Sequence, residues 1–179
     1  MRLVPLIALA GLGAGAWYWL QQQGYTSDPE TLFESASMID SSKYANSAAY
    51  QAVQAIIAAA AQQYGVPGGQ PGQLLDNLLY QESDFNPNAY NASSGAQGIG
   101  QFEPATAAQY GVDVTDATSS IYGTAHYLSD LYNMFGDWNI AVAAYNDGQG
   151  NIAKWQAGTK SLPAETVTYV ARITGAQLA

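Results

Sequence analysis

From Ser47 onward the apolar residues of this chain recur at helical rather than alternating spacing. Val53, Ile56, Ile57, Ala60 and Tyr64 fall on one face of a segment that Ser47 can cap at its start and Gly65 at its end. Pro67 to Gly72 is a turn-rich break, and a second helix is expected from about Gln73 to Glu82. Pro104 opens a short third helix that closes at Gly111. A fourth should run from Ser119 to Phe135, with Ile121, Ala125, Leu128, Tyr132 and Phe135 as its stripe. A fifth covers Trp138 to Asn146, and a last runs from Pro163 to Thr174 with Thr166, Tyr169, Val170 and Ile173 along one side. No alternating strand pattern and no repeat occurs, so the pattern predicts a small, mainly α domain.

The beginning of the chain reads differently. Leu3 to Leu20 carries no charge, and at about 1.5 Å rise per residue it would span roughly 27 Å, close to a hydrocarbon core. Trp17, Tyr18 and Trp19 stand where an interfacial belt would, and Arg2 favours a cytoplasmic N-terminus. A cleaved signal peptide is the competing reading, because Ala14-Gly15-Ala16 has the form of a cleavage site. Residues 24–46 are polar, with Asp28-Pro29 and several Ser, and read as a tether holding one short helix near Glu30–Met38. The expected organisation is an anchor at 1–23 with one N-terminal transmembrane helix through residues 3–20, a tether at 24–46 and a helical domain at 47–179.

Composition then removes whole classes of chemistry. Fourteen acidic residues against five basic give a net charge of −9. Arg2, Lys43, Lys154, Lys160 and Arg172 are too scattered to follow a phosphate backbone, so nucleic acid is not an expected partner. The chain has no Cys and a single His, His126, which leaves no thiolate site, no Cys nucleophile and no multi-His metal centre. No metal or cofactor is expected.

One residue interrupts the apolar stripe of the second helix. Leu75, Leu78, Leu79 and Glu82 lie at i, i+3, i+4 and i+7, so a carboxylate extends a buried face. Desolvation there penalises the charged form and raises the pKa, which suits a general acid near neutral pH; a Glu curled out to water is the plain alternative. Behind it comes "GAQGIGQF", in which Gly95, Gly98 and Gly100 let backbone approach a ligand closely. A phosphate cradle does not fit, since no strand precedes the loop and no Lys-Ser/Thr pair follows. The loop suits a long uncharged ligand rich in hydroxyl and amide groups.

Taken as a set, "QESDFNPNA", "GAQGIGQFEPATA", "AVAAYNDGQGNI" and "LPAETVTYV" resemble the soluble-type, goose-lysozyme-like lytic transglycosylases (the SLT domain family), in the family's order and over about Leu74 to Ile173. The resemblance implies a lysozyme-like helical fold and metal-free cleavage of the β-1,4 bond between N-acetylmuramic acid and N-acetylglucosamine in peptidoglycan, with a 1,6-anhydro product. It assigns Glu82 as the single acid/base, Gln101 as a substrate contact, and Tyr145 as the tyrosine that hydrogen-bonds the acid, with Asn146 beside it. Ser83, Gly98, Ile99, Glu165 and Tyr169 match further positions that support or line the family's cleft. The loop Ala89 to Ala96 is one residue longer than the family pattern, so Asn91, Ser93 or Ser94 could take the place of its sugar-contacting Ser. Gly100 stands where the family usually has Met and is expected to widen the cleft.

Asp84, Glu103, Asp137 and Asp147 could each be the second carboxylate that two-carboxylate glycosidases need, although solvation or helix capping accounts for them equally. Trp138 and Trp155 are candidates for stacking on sugar. The alternatives to a transglycosylase are a hydrolytic muramidase and a silent glycan-binding protein. The expected location is the membrane with the domain facing the cell wall, in a bacterial envelope or in a phage virion.

Overall fold

A computed structural model describes residues 38–178, which form seven α-helices and one 3-10 turn. The helices are α1 (Ala48–Tyr64), α2 (Leu74–Ser83), α3 (Pro104–Tyr110), α4 (Ala117–Phe135), α5 (Trp138–Asp147), α6 (Gln149–Gln156) and α7 (Ala164–Thr174). The expected span at residues 3–20 lies outside the described residues. Among those described, no helix is long and apolar enough to cross a membrane. The expectation of a fold containing a transmembrane helix is corrected accordingly: these residues form a mainly helical domain without one. Even the longest helix, α4, leaves Asp130 and Asn133 exposed on its outer side.

The caps explain where the helices start and stop. Ser47 Oγ accepts from the Tyr50 N–H at 3.1 Å, and Gly65 ends α1 in the left-handed region at φ 69°. Helix α4 begins at Ala117, earlier than the stripe suggests, because Asp116 accepts from the Ser119 N–H at 2.7 Å. Helix α6 has no counterpart in the sequence expectations: "GQGNI" carries turn residues, and Ile152 is its one buried side chain.

Helices α4 and α5 pack against each other, with α1 on α4 and with α7 and α6 on α5. The side chains of Ile57, Leu78, Leu79, Ile121, Leu128, Leu131, Val142 and Val170 meet in the resulting core. Helix α2 lies between α1 and α7. The packed region begins before Ser47, since Ile39 and Tyr44 are buried and the Ile39 N–H donates to the Arg172 carbonyl at 2.7 Å. Tyr44 makes ring contacts with Tyr50, Tyr80 and Phe85 at centroid separations of 4.9 to 5.1 Å.

Two buried polar side chains fix α2 in place. Asp76 accepts from the Tyr50 hydroxyl at 2.8 Å and from the Gly69 N–H at 2.7 Å. Asn77 accepts from the Tyr44 hydroxyl at 2.9 Å and donates to the Ile173 carbonyl at 3.0 Å and the Gly72 carbonyl at 3.2 Å. Burial raises the Asp76 pKa, and its hydrogen bonds oppose that rise. Neither residue stands out in the sequence, where an acid in a first helical turn is ordinary. Their bonds orient the helix whose other end carries Glu82.

Candidate active site

Glu82 sits in the last turn of α2, one turn after the fully buried Leu78 and Leu79. The helix ends one residue later at Ser83, and Asp84 and Phe85 then both adopt left-handed conformations at φ 54° and 59°. Such a pair of non-glycine residues is strained, and the burial of Phe85 among the Tyr44, Tyr50 and Tyr80 rings holds it there. The chain therefore turns sharply behind Glu82, and the glycine loop comes back beside it.

Ser83 ties that loop to α2. Its hydroxyl donates to the Ile99 carbonyl at 2.8 Å. Short antiparallel bridges of Gln97 with Tyr90 and with Phe102 shape the rest of the turn. Gly98 and Ile99, matched to cleft positions by resemblance, are buried and do not line the cleft. A Cβ on Gly98 would lie 2.3 Å from the Val114 carbonyl oxygen, so this glycine serves packing rather than ligand approach. Ile99 is a fully buried core side chain.

Gly100 departs from expectation in the same way. A Cβ there would stand 2.2 Å from Thr124 Oγ1 on α4, so the missing side chain lets loop and helix touch instead of opening the cleft. Its N–H donates to Ser120 Oγ at 3.3 Å and its carbonyl accepts from the Tyr145 hydroxyl at 2.7 Å.

These contacts enclose a cleft of about 530 Å³ whose lining includes Gln81, Glu82, Gln101, Tyr127, Tyr145, Asn146, Glu165 and Tyr169. Desolvation pushes the Glu82 pKa up from 4.5 to about 7, opposed by a hydrogen bond that Tyr169 donates to Glu82 Oε1. The resemblance gave that bond to Tyr145. The structure gives it to Tyr169, because α7 passes beside the end of α2 while the Tyr145 hydroxyl is taken by the Gly100 carbonyl. Burial, then the nearby Glu82 carboxylate, raise the pKa of both tyrosines, which stay protonated donors.

Oε2 of Glu82 has no hydrogen-bond partner among the described residues. Every fully buried side-chain nitrogen or oxygen there has one, so Oε2 is open to the cleft. Among the described residues the lysine or arginine ion pair is Lys160–Asp147 at 3.0 Å, and His126 lies 3.8 Å from Asp130, so no cation offsets the desolvation of Glu82.

Gln101 has a left-handed backbone at φ 50°, and its side-chain amide donates to the Gly98 carbonyl at 2.9 Å and the Ala89 carbonyl at 3.3 Å. Its N–H₂ therefore fixes the loop, and its carbonyl oxygen is what remains to meet a ligand. Asn146 Oδ1 accepts from the buried Thr166 hydroxyl at 2.8 Å, which presents its N–H₂ as the free end. In the lengthened loop Asn91 and Ser94 line the cleft, while the Ser93 hydroxyl is bonded to Asn91 Oδ1 at 2.6 Å.

Of the other carboxylates, Glu103 and Asp147 reach the cleft, the latter paired with Lys160; Asp137 caps α5, and Asp84 lies outside. Trp138 stacks on Tyr132 at 4.1 Å, and neither it nor Trp155 lines the cleft. The aromatic wall is supplied instead by Tyr127, which ordinary helix-stripe reading of α4 passes over. His126 stacks on Tyr64 at 4.8 Å, away from this lining.

The helical domain thus brings together a desolvated carboxyl group at a helix end, a tyrosine donor on it and amide side chains around it, an arrangement able to hold and release a proton beside a polar ligand. The Transglycosylase SLT domain model matches residues 55–168, and the chain belongs to that family. Over 115 residues it is 36% identical to the transglycosylase of Enterobacteria phage PRD1, covering 64% of this chain and 41% of that protein. It is 33% identical over 111 residues to membrane-bound lytic murein transglycosylase D of Escherichia coli K12, covering 51% of this chain and 24% of that one. Membrane-bound lytic murein transglycosylase F of Maricaulis maris is 39% identical over 89 residues, 45% of this chain and 19% of its own. The chain thus spans less than half the length of each of these relatives.

Proposed function

We propose that the domain is a peptidoglycan lytic transglycosylase in which Glu82 is the only proton-transfer group. The observation that carries this reading is that, of the carboxyl groups lining the cleft, Glu82 is the one whose pKa desolvation pushes up to about 7, with Oε1 held by Tyr169 and Oε2 open to the cleft. Near neutral pH a large fraction of Glu82 keeps its proton, as a general acid must.

In the proposed reaction Oε2 protonates the glycosidic oxygen as the bond from that oxygen to the anomeric carbon breaks. The C6 hydroxyl of the same muramic acid residue then attacks the anomeric carbon, and its proton passes to the Glu82 carboxylate. The acid is restored, no water is consumed, and the new end is a 1,6-anhydro sugar. The Tyr169 hydrogen bond stabilises the carboxylate in the interval between the two transfers. The amide groups of Gln101 and Asn146 offer an acceptor and a donor for the N-acetyl groups of the strand.

The relatives named membrane-bound lytic murein transglycosylases favour work on murein, and the phage relative adds a virion as a setting. Local opening of the wall, in a virion or an envelope complex, is the setting we propose. The test is product analysis of purified sacculi by mass spectrometry. Wild type should release 1,6-anhydromuramoyl ends, and Glu82→Gln should lower the rate by at least about a thousandfold, since an amide has no acidic proton to give. Reducing ends from the wild type would make it a muramidase, and equal rates for both proteins would remove Glu82 from the chemistry.

A further inference from the structure

A second groove, of about 400 Å³, runs along α7 beside the cleft. It shares Gln81, Glu165 and Tyr169 with the cleft and continues to Thr168 and Arg172. A ligand lying in the cleft can therefore send a branch over Tyr169 into this groove. Resting on the reading of the cleft as a glycan site, we propose that the groove receives the acidic peptide branch of the strand, with Arg172 holding a branch carboxylate.

The spacing suits a short peptide. Glu165, Tyr169 and Arg172 lie at i, i+4 and i+7 and share one face of α7. The rise from Glu165 to Arg172 is about 10 Å, the reach of roughly three extended residues.

Charge sets the direction of the branch. Arg172 is exposed, and no carboxylate among the described residues lies within ion-pair distance of it. Among the described residues its guanidinium keeps its fork for a carboxylate. Glu165, at the end shared with the cleft, repels an anion, so branch carboxylates are sorted toward Arg172. The Thr168 hydroxyl donates its proton to the Ala164 carbonyl at 2.9 Å and keeps its oxygen to accept a peptide N–H. A basic residue that merely complements the C-terminal end of α7 would show no dependence on the ligand's charge.

The test uses the full chain carrying Glu82→Gln, so that ligand is not consumed, and calorimetric titration with three probes. These are a disaccharide–peptide with free carboxylates, the same compound with its carboxylates amidated, and the peptide-free disaccharide. The free acid should bind about three- to tenfold more tightly than the amidated form at low salt, with the gap narrowing as salt rises. Adding Arg172→Gln should close the gap, and Arg172→Lys should keep part of it. The proposal is overturned if the two peptide forms bind alike, if the gap survives Arg172→Gln, or if neither form binds. Release of 1,6-anhydro ends by a wild type that shows no such gap would defeat the branch site and leave the glycan reaction standing.

Discussion

Glu82→Gln is expected to make the folded protein more stable at pH 8 while abolishing its activity. The substitution keeps the size of the side chain and an oxygen to accept from Tyr169, but removes the charge. In the folded state the Glu82 pKa lies at about 7, against 4.5 in the ordinary case. The folded protein thus binds this proton more tightly than the unfolded chain does. Stability is therefore lost as pH rises from about 4.5 through 7, and the loss is complete above that. At about 1.4 kcal/mol per pH unit the cost is about 3 kcal/mol at pH 8, with the Tyr169 bond already counted. For a domain of this size it corresponds to a rise in Tm of roughly 5–10 °C in the variant. The assay is paired thermal and urea unfolding of wild type and variant at pH 4, 6 and 8. Near pH 4 the two should match closely, and the difference should grow with pH. A difference independent of pH, or a variant less stable than wild type at pH 8, would refute the claim that Glu82 is held in a desolvating site.

Further outcomes follow from individual contacts. Tyr169→Phe removes the one hydrogen bond that holds the Glu82 pKa down, so the alkaline limb of the kcat/KM profile should move to higher pH, with a loss of rate of about tenfold. Gly100→Ala drives a Cβ toward Thr124 Oγ1 and should destabilise by about 1–3 kcal/mol in urea melts; Thr124→Ala in the same chain should recover part of that loss, because it removes the atom that is struck. Ser83→Ala breaks the bond to the Ile99 carbonyl and should cost about 1 kcal/mol in the same melts, with faster amide exchange in the glycine loop.

The helices were legible because their caps and stripes agree: Ser47 with Gly65, Pro104 with Gly111, and the α4 stripe with the core. Glu82 was legible for the same reason, since a carboxylate on the Leu75–Leu78–Leu79 face contradicts its own pattern. What sequence could not distinguish was the purpose of a glycine. Gly98 and Gly100 fit close approach to a ligand or to another part of the chain equally well, and only the positions of Val114 and Thr124 decide it. The partner of Glu82 was hidden likewise. Tyr145 and Tyr169 both point inward by periodicity, and which one reaches the acid depends on how α5 and α7 cross α2. Helix α6 escaped because Gly150 and Asn151 lower its local propensity, and its packing on α5 holds it instead.

The most direct measurement is a carbon-13 NMR titration of the Glu82 side-chain carboxyl, with Glu82→Gln used to assign the resonance. The midpoint should lie near 7, carried down from a still higher value by the Tyr169 hydroxyl. A midpoint at the ordinary carboxylate value of 4.5, with the protein folded, would contradict the desolvation of Glu82.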